Sequence, residues 1–212
     1  MNNPFDFFEE MYCINIDSRT DRWKLAQEEF EKLGIKDRVQ RFSAIVNPDG
    51  RLGVIQSNLE IVRIAKRKKL NNVLVFEDDV MFLHENKPLE TLEKAIKQIN
   101  IGWQLFYLGA NTHNKLVKMT PNLIYLKNAF AVHSMAYNKT VYDKFIDYAS
   151  NVKQIRKNTD ILDVWLASEV QTKNIALMVN PMLTTQRESY SDIEKRVVDQ
   201  SYIVERFKNN IK

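Results

Sequence analysis

The stretch Val73-Leu74-Val75-Phe76-Glu77-Asp78-Asp79 runs through four apolar residues and then, without a break, three acids. A short run that is apolar at every position predicts a strand covered on both faces, as in a sheet layered between helices. In an open α/β sheet, ligands bind beyond the carboxyl ends of the strands, which is where these acids fall. Residues i and i+2 of an extended chain point the same way, so Glu77 and Asp79 share one side. Two carboxylates held that close repel each other, and a divalent cation relieves the repulsion. One or two carboxylates completed by phosphate oxygens suit Mg2+ or Mn2+. The same acids also read as a solvated turn that caps the next segment.

Upstream, residues 11–17 read as a buried strand ending in polar groups, and residues 18–22 as a turn. Trp23, Ala26, Phe30 and Leu33 recur at helical spacing, closed by Gly34. Residues 39–45 predict a strand, and Asn47-Pro48-Asp49-Gly50 a turn. Ser57 with Glu60 has the capping-box pattern, beside a helical face of Ile55, Leu59, Val62 and Ala65 that ends at Asn71-Asn72.

Downstream, Pro88 can open a helix carrying Leu89, Leu92, Ile96 and Ile99. Strands are expected over residues 103–108, 129–137 and 175–179, and helices after Asn138 and over residues 160–172. Residues 110–122 read as a loop or weak hairpin, and 181–192 as irregular. Strands thus alternate with helices and nothing repeats. The expectation is one α/β domain over residues 1–195, Rossmann-like, with a mostly parallel sheet flanked by helices, and a helical tail over 196–212.

Composition narrows the function. The 212 residues are 44% hydrophobic and 27% charged, the balance of a soluble globular protein. No pair of the five glycines has G-x-G-x-x-G spacing and none forms a Walker A loop, a serine-hydrolase elbow is absent, and the three histidines form no H-E-x-x-H. One cysteine, Cys13, excludes an intrachain disulfide and a cysteine zinc site. The acidic start and the lack of an apolar run of about 20 residues argue against a signal peptide or a membrane span, so a cytoplasmic protein is expected. The net charge of +4 is concentrated at Arg63, Lys66, Arg67, Lys68 and Lys69. No aromatic interrupts that run as base stacking requires, so it reads as the solvated end of a helix and not as a nucleic-acid surface.

Six segments in order resemble glycosyltransferase family 25, the lipooligosaccharide and procollagen galactosyltransferases. Tyr12-Cys13-Ile14-Asn15-Ile16-Asp17 with Arg19 and Arg22 is similar to the family's opening motif. Arg41-Phe42-Ser43-Ala44-Ile45 with Asp49-Gly50 resembles its F-x-A-V-D-G segment, and Val75-Phe76-Glu77-Asp78-Asp79 its V-F-E-D-D. Trp103 to Gly109, Leu162-Asp163-Val164-Trp165-Leu166, and Pro181-Met182-Leu183 with Gln186 and Ser191-Asp192-Ile193 resemble the rest. The family's G-C-x-x-S-H reads Gly53-Val54-Ile55-Gln56-Ser57-Asn58 here.

The resemblance implies a GT-A-like fold and metal-assisted transfer of a hexose from a nucleotide sugar, typically a UDP-hexose, to a hydroxyl of a glycan or protein, with inversion. It implies Asp79 and Glu77 as ligands of Mn2+ or Mg2+, with Asn15, Asp17, Arg22, Glu77, Asp78, Gln186, Ser191 and Asp192 around the donor. Asp163 is the first choice for the base that deprotonates the acceptor and Asp160 the second. The alternative is a catalytically silent glycosyltransferase-like domain that binds nucleotide. Peripheral membrane contact through the apolar groups of the tail is compatible with either.

Overall fold

The computed structural model describes residues 3–173, 175–191 (Ser191 by its backbone alone) and 195–211. In chain order the first half runs β1 (Glu10–Asn15), α1 (Thr20–Lys32), β2 (Val39–Ser43), α2 (Gly50–Arg67), β3 (Asn72–Glu77), β4 (Val80–Phe82) and α3 (Pro88–Lys97). Short strands follow: β5 (Leu105–Tyr107), β6 (Asn111–Thr112), β7 (Val117–Thr120), β8 (Leu123–Tyr125) and β9 (Ala129–Phe130). The chain then forms β10 (Ser134–Asn138), α4 (Lys139–Asn151), α5 (Leu162–Glu169) and β11 (Ala176–Val179). It ends with β12 (Thr184–Gln186), β13 (Ser189–Ser191), β14 (Arg196–Val198) and α6 (Tyr202–Asn210).

Eight strands make the central sheet in the order β2-β1-β3-β10-β5-β11-β8-β7. Six of them run one way. The reversed strands β10 and β8 produce every antiparallel pairing in it. The α/β expectation therefore holds, with a sheet that is mostly parallel in direction and mixed in its pairings.

Strand periodicity explains why both faces are covered. Val73 and Val75 of β3 point into one core with Leu105, Tyr107, Met135 and Tyr137, while Leu74 and Phe76 point into the other with Phe106 and Ala136. Helices α2, α4, α5 and α6 close the first side through Ile55, Phe145, Leu166 and Ile203. Helices α1 and α3 close the second through Phe30 and Leu92. Each of the Val, Leu, Ile, Met and Phe side chains among them contributes about 1.5–3 kcal/mol by leaving water.

Most helix ends follow local chemistry. The Asn138 side chain accepts from the Thr140 amide at the start of α4, Pro88 is the first residue of α3, and Gly34 beyond α1 has φ 66°. The Ser57 capping box is a correction. Helix α2 begins seven residues earlier, where Asp49 accepts from the Arg51 amide. Ser57 lies inside the helix, donating to the Gly53 carbonyl and accepting from the Ile45 amide, so its hydroxyl ties the chain after β2 to the helix. The expected strand over 129–137 is also two strands, broken at Ala131 by a residue with φ 67°.

The tail is helical only from Tyr202. Before that, β14 pairs with β13. Helix α6 buries Ile203 and Phe207, and the Asn210 carbonyl accepts from the Leu116 amide. Among the described residues, no helix is long and apolar enough to cross a membrane. The basic end of α2 is partly neutralised: Arg63 pairs with Glu60, Lys66 with Asp143 and Lys68 with Glu10.

Candidate active site

A cleft of about 610 Å³ opens past the carboxyl ends of β1, β2 and β3. Its floor carries Glu77, Asp78 and Asp79, with Arg22, Asp163 and Gln186 around them. Strand β3 delivers the acids because it is buried along its length and the chain turns sharply into β4. Pairing of β12 with β4 sets Gln186 opposite Val80 and so over the same point.

The electrostatics of the floor centre on Arg22, from the first turns of α1. Its Nη2 lies 2.8 Å from Asp78 Oδ1 and 2.8 Å from Asp79 Oδ2, and all three side chains are largely buried. Asp78 also accepts from Asn15 Nδ2 at 2.5 Å. Burial pushes its carboxyl up to about 6, and Arg22 and Asn15 pull against that rise. Glu77 carries no such bridge among the described residues. Burial first, and the Asp79 charge second, raise its carboxyl well above the usual range. Gln186 Nε2 donates toward Glu77 Oε2 at 3.3 Å and toward the two Asp79 oxygens at 3.3 and 3.4 Å.

Three hard oxygens therefore converge on the amide of Gln186, and turning that amide over would add a fourth. This donor chemistry fits Mg2+ or Mn2+ in a site completed by phosphate oxygens. Among the described residues, no three His, Cys, Asp or Glu side chains make an all-protein cage. Glu77 and Asp79 are the residues that would hold the ion.

Asp163 stands on another wall of the cleft, in the first turn of α5. Its Oδ1 accepts from the Val164 amide at 2.8 Å and its Oδ2 from the Ala131 amide at 3.4 Å. Burial raises its pKa, and those amides offset part of the rise. Asp160 sits elsewhere, accepting from the Arg156 and Lys157 amides at 2.9 and 3.1 Å. It borders a separate depression with Tyr148 and Trp165, and the amides hold its carboxyl below the usual range.

The remaining expected residues divide. Asn15 is buried beneath the floor, donating to Asp78 and to the Arg19 carbonyl and accepting from Arg41 Nε. Asp17 points outward, held by Arg41 and Ser43. Ser191 contributes backbone to β13, and Asp192 lies outside the described residues. His133, in mid-sheet, is fully buried with Nε2 3.2 Å from Thr184 Oγ1 and with no partner at Nδ1 among the described residues.

Several cleft residues escaped the sequence reading, among them Phe130, Arg187, Lys195, Gln200 and Tyr202. Arg187 donates its amide to the Asp79 carbonyl at 2.7 Å while its guanidinium lies 3.9 Å from the buried Glu29, and its place next to Gln186 was the only signal. Gln200 and Tyr202 come from the tail, where nothing local marks them as lining residues.

No protein-family model matches the chain, and no curated protein matches it by sequence. In structure it is similar to a glycosyltransferase involved in glycosylation of the major capsid of PBCV-1, at 12% identity and a TM-score of 0.46, covering 78% of this chain and 72% of that one. It is also similar to A197 from STIV, at 10% identity and 0.49, covering 91% and 94%. A third similar structure is mannose-1-phosphate geranyltransferase from Thermus thermophilus, at 9% and 0.47, covering 82% and 74%. These are likenesses in the path of the chain and assign no residue a role.

Proposed function

We propose that this chain is a glycosyltransferase that moves a hexose from a nucleotide sugar, a UDP-hexose by its resemblance to glycosyltransferase family 25, to a hydroxyl of a glycan or protein acceptor. The observation that carries the reading is the meeting, in one cleft, of two kinds of group. One is a half-buried carboxylate anchored by the backbone amides of Ala131 and Val164, Asp163. The other is a cluster of two acids with a guanidinium, Glu77, Asp79 and Arg22.

The chemistry asks for both. The acceptor oxygen attacks the anomeric carbon, its proton passes to Asp163, and the bond to the β-phosphate breaks with its electron pair leaving on the nucleoside diphosphate. That single displacement inverts the anomeric carbon. Burial moves Asp163 toward the working pH, which improves a general base. Arg22 would meet phosphate oxygens as a charge-assisted donor. A divalent ion bound by Glu77 and Asp79 would supply Lewis-acid stabilisation of the leaving charge. Asn15 orients Asp78, which in turn orients Arg22.

Calorimetric titration of UDP, with and without Mn2+, on the wild type and on Asp79→Ala tests the reading. Manganese-dependent binding that the variant loses is the expected result, and absence of UDP binding under every condition overturns it. Hydrolysis or transfer of UDP-hexoses separates an enzyme from a silent nucleotide-binding domain.

A further inference from the structure

The cleft continues beyond Asp163 along a wall that the donor chemistry leaves unused. Asp163 accepts from the Ala131 amide, Ala131 follows Phe130, and Phe130 pairs with Asn111 across β9 and β6. Asn111 Nδ2 lies 3.4 Å from the hydroxyl of Tyr202, the first residue of α6. Arg206 sits one turn further along that helix. It donates to Asn111 Oδ1 at 2.8 Å and places its guanidinium carbon 4.9 Å from the centre of the Tyr202 ring. Tyr202 is thus held at two points, yet remains 41% exposed at the mouth of the cleft. Beside it, Gln200 also lines the cleft.

An oriented aromatic ring left open to the cleft, with two amide side chains next to it, suits one class of ligand. A pyranose has a face of C–H groups that covers an aromatic ring and an edge of hydroxyls that both donate and accept, as amides do. Ordering costs little, because Tyr202 is already fixed by Asn111 and Arg206. The class of site is ordinary: an apolar platform with a few directed polar groups.

We propose that Tyr202, Asn111 and Gln200 form the acceptor subsite, binding a neutral pyranose ring so that its free hydroxyl faces Asp163. The assignment rests on the glycosyltransferase reading. It makes the segment from β14 to α6 the element that sets acceptor choice, while the β1, β2 and β3 ends serve the donor.

Saturation-transfer NMR with a panel of methyl hexopyranosides (gluco, galacto and manno, both anomers) is the test, on the wild type, Tyr202→Ala, Tyr202→Phe and Gln200→Ala. Calorimetry with UDP runs in parallel. At least one glycoside is expected to bind the wild type and to bind Tyr202→Ala about tenfold or more weakly. Tyr202→Phe should stay within a few-fold of the wild type, since it keeps the ring, and UDP binding should be equal in all four proteins. If Tyr202→Ala does not fold, Gln200→Ala carries the comparison, with weaker glycoside binding expected. Undiminished glycoside binding in Tyr202→Ala and Gln200→Ala, or no binding by the wild type to any member of the panel, overturns the subsite. Loss of UDP binding alone, with Tyr202-dependent glycoside binding kept, overturns the donor reading and leaves a saccharide site.

Discussion

Arg22 Nη2 lies 2.8 Å from an oxygen of Asp79, and the same nitrogen is 2.8 Å from Asp78. The acidic floor therefore carries its own counter-cation, supplied by a helix that starts five residues after β1 ends. The stability of the fold depends on that bridge, and under the proposed function so does the response to added metal.

Replacing Arg22 leaves two largely buried carboxylates without their shared partner. Breaking a buried pair on one side costs about 3–5 kcal/mol. Arg22→Gln is expected to lose stability in urea on that scale and to recover more of it on adding Mn2+ than the wild type gains. Unfolding curves that coincide within about 1 kcal/mol would count against a structural role for the bridge.

The two candidate bases should separate in kinetics. Loss of a general base costs about 10²- to 10⁴-fold in rate. Asp163→Asn is expected to lower transfer by that factor with UDP affinity unchanged. Asp160→Asn, outside the cleft and held by amides, should stay within a few-fold. Comparable losses in both would remove Asp163 from its role.

Gly109 is required for space. A Cβ there would lie 2.1 Å from the Thr184 carbonyl oxygen and 2.6 Å from its hydroxyl. Backbone cannot yield as a flexible side chain can, so Gly109→Ala is expected to destabilise by about 3 kcal/mol or to fail to fold. Because Thr184 begins the strand that carries Gln186, a surviving variant should also bind UDP with Mn2+ more weakly.

Burial lowers the pKa of His133 to about 4 from an ordinary 6.5. The folded state thus disfavours the proton that the unfolded chain accepts. Stability from this residue is present above about pH 6.5 and drains away as the pH falls toward 4. The full effect is on the order of 3 kcal/mol. Urea midpoints of the wild type should fall across that window, and those of His133→Gln should fall less. Parallel profiles would show that other groups drive acid unfolding.

Much of the fold is legible in local patterns. The apolar run at Val73 to Phe76 marks a strand covered on both faces, and Asn138, Pro88 and Gly34 mark helix ends, because each signal acts within a turn or a strand of its own residue. Ser57 shows where that logic stops. Its spacing to Glu60 mimics a helix start, but the start belongs to Asp49, since Ser57 is taken up by the Ile45 amide from the chain after β2. The reversed strand β10 is another such case. Its residues read as a strand, and only packing between β3 and β5 decides its direction.

The candidate site divides in the same way. Sequence alone determines that Glu77 ends a strand and that two more acids follow it. Residues 78 and 79 are a turn and not extended chain, so it is the turn into β4, and not strand alternation, that brings Asp79 to the same point. Only the tertiary structure decides that Arg22 neutralises that end, that Asp163 and not Asp160 reaches the cleft, and that Tyr202 from the tail forms part of its wall. Those choices depend on distances between residues far apart in the chain. They are set by how the two cores pack around the sheet, which no local spacing encodes.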